Sequence, residues 1–347
     1  MIRRFLFGSL ALAPAAIAVH YLADIPETAE FVVSALALIP LAWLIGEATE
    51  HAAEHTGPGI GGFLNATFGN APELIIALIA VHQGLTEVVR GSLTGSVVSN
   101  LLLVLGASLV AGGVGRLDRY SSFLSFGLIL VATALFLIPS IPGWEGDPDR
   151  HTLAVLSLPV SGALLVVYLG VTWYSLRRHR LLHVASDEEI EAWSLRAAVA
   201  ALALATVTTA LVAEILVGSL EAFAEKAGLT EFFVAAVIVA IVGNAAEHGG
   251  AIVVAFRGKI PLAAEIALAS AAQVAVFLIP AVALLSWLID PLALSLRLVE
   301  LGALAGAVAY TALVLFDGRS SRARGGLLLA GYAVVVLAFY FAGERPQ

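Results

Sequence analysis

Gly69-Asn70-Ala71-Pro72-Glu73 recurs 174 residues later as Gly243-Asn244-Ala245-Ala246-Glu247. No gap is needed, and the register holds downstream. Ala77 matches Ala251, Gly84 matches Gly258, Ser96 matches Ser270, and the helix-disturbing Gly106 and Pro280 coincide. Each copy ends on a glutamate inside a long apolar run. A carboxylate at the centre of a bilayer costs roughly 2.5–3.5 kcal/mol unless it is paired or hydrated. Apart from His248, neither run has a basic side chain placed to neutralise it. Two such costs at equivalent positions mark a functional site.

The whole chain supports a membrane reading of those runs. Of its 347 residues, 60% are hydrophobic and 13% charged, with a mean hydropathy of +0.97. A soluble domain carries about 25% charged residues. Eleven apolar segments are legible, at roughly 5–23, 28–54, 62–83, 86–112, 121–141, 151–175, 197–223, 230–255, 261–288, 294–316 and 325–343. They are continuous rather than alternating, which argues for helices and against a β-barrel. The fold class read from this is an all-α polytopic membrane protein of about 11 transmembrane helices. Gly57-Pro58-Gly59 reads as a loop between the second and third spans. Arg3 and Arg4 before an apolar run with Ala16-Ile17-Ala18 resemble a signal peptide, but the run continues past that point and reads better as an uncleaved span. There is no cysteine, which excludes disulfides and thiolate chemistry, and no basic face for nucleic acid.

Loop charges set the orientation. With the N-terminus cytoplasmic, the inside loops carry Arg3, Arg4, Arg116, Arg119, Arg177, Arg178, Arg180, Arg196, Arg257, Lys259, Arg319, Arg322 and Arg324. Only Arg90, Arg150, Lys226, Arg297 and Arg345 fall outside. The positive-inside rule therefore puts the N-terminus in and the C-terminus out. The offset of 174 carries the third segment onto the eighth. Five is an odd number of spans, so the two copies face opposite ways, as inverted repeats of secondary transporters do.

The neighbours of the glutamates suit a cation. Asn70 and Glu73 are three apart, as are Asn244 and Glu247, so each pair shares a helix face. Pro72 cannot donate to the carbonyl of Phe68, which frees a backbone oxygen. Gly243, Gly249 and Gly250 are expected to loosen the second copy. The next span of each half offers Ser96, Ser99 and Asn100, then Ser270 and Gln273, with Ser99 and Gln273 at the same repeat position. Two carboxylates with amide, hydroxyl and backbone oxygens make a hard site whose charge matches a divalent ion, and Ca²⁺ tolerates such loose geometry. Zinc or copper would want more histidine.

Leu64-Asn65-Ala66-Thr67-Phe68-Gly69-Asn70-Ala71-Pro72-Glu73-Leu74-Ile75 resembles the first signature of the cation/proton exchanger (CAX) branch of the calcium/cation antiporters. Gly243-Asn244-Ala245-Ala246-Glu247-His248 resembles the second. Ala48-Thr49-Glu50 and the run from Gly95 to Gly106 match as well. The resemblance implies one extra N-terminal helix (1–25) and two inverted five-helix repeats (26–176 and 197–347). The linker between them, 177–196, is cytosolic and carries a short acidic stretch at 187–191. It implies exchange of cytosolic Ca²⁺ for H⁺, with Glu73 and Glu247 binding the cation. Asn70, Asn244, Ser99 and Gln273 would assist. Glu50, Glu54, Glu214 and His248 would form an accessory cation or proton pathway. No resident cofactor is expected, because Ca²⁺ is the substrate and H⁺ the coupling ion. A multi-pass protein of a prokaryotic inner membrane is expected, and monomer and homo-oligomer both stay open.

Two rivals remain at this point. A sodium-driven calcium exchanger would share the fold. His51-Ala52-Ala53-Glu54-His55 matches the H-x-x-E-H pattern of a zinc peptidase, with His51 and His55 as ligands and Glu54 as base. Glu300 lies in a late apolar span with no assigned partner.

Overall fold

The structure is a computed structural model that describes residues 2–23, 25–180, 193–343 and 345. The acidic stretch 187–191 lies outside these residues. Apolar α1 (Ile2–Ser9) and α2 (Leu12–Leu22) lead into α3 (Glu27–Phe68), and α4 (Ala71–His82) follows after a break. α5 (Thr86–Val98) continues through a π-helical turn (Ser99–Val104) into α6 (Leu105–Gly112). α7 (Arg119–Gly143) and α8 (His151–Arg180) complete the first half. The Asp118 side chain accepts from the amides of Tyr120 and Ser121 and so caps α7.

The second half begins with α9 (Leu195–Gly218), α10 (Leu220–Ala227) and α11 (Glu231–Phe233). A π-helical turn (Val234–Val239) joins α11 to α12 (Ala240–Gly243), and α13 (Ala245–Phe256) follows. α14 (Ile260–Gln273) runs through a third π-helical turn (Val274–Leu278) into α15 (Ile279–Leu285). α16 (Leu298–Val314) and α17 (Arg322–Ala342) close the chain. Two short strands, β1 (Gly115–Arg116) and β2 (Arg319–Ser320), pair antiparallel and tie the turn after α6 to the turn before α17.

Among the described residues, seven helices are long and apolar enough to cross a membrane. An eighth is the pair Leu220–Ala227 and Glu231–Gly243, bent by 108° at left-handed Gly228. Leu6–Leu22, Ala71–His82, Ala245–Phe256 and Leu298–Val314 are shorter apolar helices. The two rods Thr86–Gly112 and Ile260–Leu288 are 83% and 72% buried inside the protein, whereas Arg322–Ala342 is only 17% buried. The rods rich in Ser, Asn and Gln are thus the central ones, where neighbouring helices can satisfy polar groups that lipid cannot.

Two expectations change. α3 stays helical through Gly57-Pro58-Gly59, where the glycine–proline signal predicts a loop. Within apolar surroundings the helix keeps backbone groups paired that an open loop would leave bare. The expected span at 294–316 starts later, because 291–297 is non-helical, with 292–297 buried. Its amides are served from other helices. Ser286 Oγ accepts from Leu292 N, Ser157 Oγ from Leu294 N and Ser140 Oγ from Leu296 N, each at 2.9 Å.

Close backbone packing fixes the centre. A Cβ built on Gly95 would collide with the carbonyl oxygen of Ala236, and one on Gly91 would meet Phe232 at 3.0 Å. This G-x-x-x-G face lets α5 lie directly on the 231–243 helix. We expect Gly95→Ala to destabilise the protein by about 1–3 kcal/mol through overpacking. Gly127→Ala, where a Cβ meets nothing within 4 Å, should leave the thermal midpoint in detergent unchanged.

Candidate functional site

The two motifs break their helices in the same way. Asn70 has φ −95° and ψ 9°, and Asn244 has φ −94° and ψ 7°. Each precedes a helix of 12 residues, α4 and α13, and each helix carries its motif glutamate in the first turn. Both helices are followed by a left-handed glycine, Gly84 (φ 75°) and Gly258 (φ 78°). The π-helical turns at Ser99–Val104 and Val274–Leu278 fall at nearly the same offset. The sequence repeat is therefore a repeat of backbone geometry, extending to the helix distortions that often mark functional positions. Pro72 accounts for the first break. The second forms without proline, and Gly243 serves a different end there. A Cβ at Gly243 would come within 2.9 Å of Glu73 Cγ, so its absence lets the first motif's side chain lie across the second motif.

The Glu73 side chain lies against Gly243, four residues before Glu247. Around the two glutamates the polar groups of the central rods interlock across the repeats. Asn244 Nδ2 donates to Ser96 Oγ at 2.8 Å and to Ala240 O at 3.0 Å, and its side chain lies beside Glu73. Asn100 Nδ2 donates to Ser270 Oγ at 3.1 Å, and Ser270 Oγ donates in turn to Glu247 Oε2. Asn70 Nδ2 reaches Gln273 Oε1 at 3.5 Å. Ser99 is fully buried and donates back to Ser96 O at 3.1 Å. Among the described residues, the buried oxygens Glu73 Oε1, Asn244 Oδ1 and Asn100 Oδ1 accept no hydrogen bond. Buried acceptors without donors are uncommon, and oxygens of this kind are the ligands a hard cation takes.

The two glutamates differ in access. Glu73 is 7% exposed. Glu247 is half-buried and faces a cavity of about 490 Å³ whose lining includes Glu47, Glu50, Glu265, Ser270 and Gln273. Of the four residues expected along an accessory pathway, Glu50 lines this cavity, and Glu54, Glu214 and His248 are not part of its lining. Glu214 is exposed on α9, and His248 is buried on α13. Glu47 and Glu265 were missed in the sequence. Glu265 could have been found, since it is an acid inside the apolar run 261–288.

The zinc-peptidase reading is corrected. The His51 ring stacks on Trp193 with centroids 4.7 Å apart, and His55 Nε2 donates to the Trp193 carbonyl at 2.8 Å. Both imidazoles serve to hold Trp193. Among the described residues, no group of three or more His, Cys, Asp or Glu side chains could hold a metal ion.

Comparison with known proteins agrees with the geometry. The family model for sodium/calcium exchanger proteins matches residues 27–177 and again 197–341, one match per repeat. A Ca(2+)/H(+) antiporter of Aphanothece halophytica is 36% identical, across 98% of this chain and 97% of the relative. The Ca(2+)/H(+) antiporter ChaA of Bacillus subtilis is 37% identical, across 91% and 93% respectively. The solved structure of native YfkE superposes with a TM-score of 0.83 at 34% identity, covering 97% of this chain and 99% of that one.

Proposed function

The chain belongs to the sodium/calcium exchanger protein family, and from that premise we propose that it exchanges Ca²⁺ for protons by alternating access at Glu73 and Glu247. It is a multi-pass membrane transporter, not an enzyme. The observation that carries the reading is the pair of carboxylates at repeat-equivalent helix breaks, beside buried acceptor oxygens that have no donor. Ca²⁺ bound between them offsets the repulsion of two neighbouring negative charges. When it leaves, the two carboxylates are neutralised by protons instead. Cation and protons thus compete for the same oxygens, and competition couples their movement in opposite directions. Asn70, Asn244, Ser99 and Gln273 orient the site, and Glu47, Glu50 and Glu265 line its approach.

In this reading the N-terminus is cytoplasmic, the C-terminus is outside, and the membrane is a prokaryotic inner membrane. The turn bearing Arg257 and Lys259 precedes α14, and in this reading the cavity, which α14 lines from Glu265 to Gln273, opens to the cytoplasm.

The test is ⁴⁵Ca²⁺ uptake into proteoliposomes with an acidic lumen, repeated with a Na⁺ gradient replacing the pH gradient. Uptake driven by the pH gradient and abolished by a protonophore is the expected result. Uptake that follows Na⁺ alone would keep the site and change the coupling ion. No flux under either gradient would overturn the reading.

A further inference from the structure

Away from the site, six charged side chains from both repeats meet at the start of α5. Arg90 is 1% exposed. Its guanidinium donates to Asp149 at 2.7 Å, to Glu87 at 2.7 Å and to the carbonyl of Ala293 at 3.1 Å. Glu87 also faces Arg297 at 3.6 Å and Arg345 at 3.4 Å. Glu300, left without a partner in the sequence, is fully buried and accepts from the Arg297 amide at 2.7 Å. Arg345 donates to Ser295 O at 2.7 Å. Burial works against the Asp149 carboxylate, yet the Arg90 hydrogen bond and charge hold it below the usual range. The Arg297 guanidinium lies 3.6 Å over the ring of Phe232, and Phe232 packs on Gly91.

The repeat places this lattice relative to the cavity. Gly91, next to Arg90, is the repeat equivalent of Glu265, and Glu265 lines the open cavity. In inverted repeats, equivalent positions lie on opposite sides of the site. One side is therefore an open vestibule. On the other, Phe232 covers Gly91, Ala236 abuts Gly95, and only a narrow gap lined by Glu73, Ser92 and Ser96 remains.

We propose that the Arg90–Asp149–Glu87 lattice, with Arg297 clamped over Phe232, is the latch that keeps the site shut on the side opposite the cavity. It joins α5 and the 143–150 turn of the first half to the 290–297 stretch, α16 and Arg345 of the second. Opening that side requires α11 to leave α5, which pulls Phe232 from under Arg297, the cation that Glu87 and Glu300 of the lattice hold in place. The proposal rests on alternating access at the same site, but its test does not depend on which ion is carried.

The chain has no cysteine, so single reporter thiols can be introduced without background. Ser92→Cys reports the latched side, and Ala269→Cys, whose parent residue lines the cavity, reports the open side. Each reporter is labelled in proteoliposomes with a membrane-impermeant methanethiosulfonate, applied to the face it reports. Asp149→Asn is expected to raise Ser92→Cys labelling at least about tenfold and to lower Ala269→Cys labelling, since one ensemble shifts from one state to the other. Arg297→Lys keeps the charge, loses the planar cover on Phe232, and should act in the same direction; it decides the matter if Asp149→Asn does not fold. Unchanged labelling at both reporters overturns the proposal. So does a rise at both, which would mean a loosened structure rather than a released latch. If the labelling shifts reciprocally and Ca²⁺ flux is absent, the latch stands and the exchange reading fails.

Discussion

Replacing Glu73 or Glu247 with glutamine is expected to abolish exchange. The substitution keeps shape and most packing but removes one of two charges facing a divalent ion. Two unit charges about 4 Å apart at an effective dielectric near 20 interact by about 4 kcal/mol; that figure counts only half of a divalent ion's charge and is already about a thousandfold in affinity. The amide also cannot take up the proton that replaces Ca²⁺. Transport should fall to background in the ⁴⁵Ca²⁺ assay, and Ca²⁺ binding by calorimetry should weaken by about the same factor. The two variants should still differ in one respect. Glu247 faces the cavity and Glu73 does not, so Glu247→Gln should also remove the first carboxylate an entering cation meets at the site. Substantial residual transport in either variant would break the mechanism.

Arg90→Met should cost more stability than any other single change outside the site. Three arginines and three acids are balanced in the lattice. Removing one partner of a buried ion pair leaves uncompensated charge and typically costs about 3–5 kcal/mol. The loss should appear as a lower thermal midpoint in detergent. The double variant Arg90→Met/Asp149→Asn restores the balance and should recover part of it, a coupling that a double-mutant cycle reads directly. If the single and double variants are equally stable, the pairing contributes nothing and Arg90 matters only for packing.

What the sequence disclosed and what it hid follow from periodicity and distance. Glu73 and Glu247 were legible because a costly residue occurs twice in one register. Asn70, Asn244, Ser99 and Gln273 followed from that register; in the structure Asn70 reaches Gln273, Asn244 bonds Ser96, Gln273 lines the cavity that Glu247 faces, and Ser99 turns back to the Ser96 carbonyl. Arg90 was not legible. At the edge of an apolar run it reads as a loop charge, and its partners lie 59 and 203 residues away. Glu300 was noticed but not paired with Arg297, three residues before it, because the expected span already began at 294 and hid the helix start that this pair caps. His51 and His55 misled because helical spacing alone does not tell where a ring turns, and Trp193, which both engage, is 138 residues from His55. The non-helical stretch before α16 was hidden by its own hydrophobicity, since Leu292, Ala293, Leu294 and Leu296 are as apolar as any span.

That stretch is neither helix nor strand, so most of its backbone groups find no partner within a regular element. Serine hydroxyls and arginine guanidinia from five other places in the chain stand where a second backbone would be: Ser140, Ser157, Ser286, Arg90 and Arg345. A ladder of that kind has no register to slide along, because each rung is a different chemical group at a fixed point on a different element. Residues 290–297 thus act as a gauge for the assembly. They seat only when those elements are already at their final separations, which makes this short irregular segment a check on the packing of both halves of the protein.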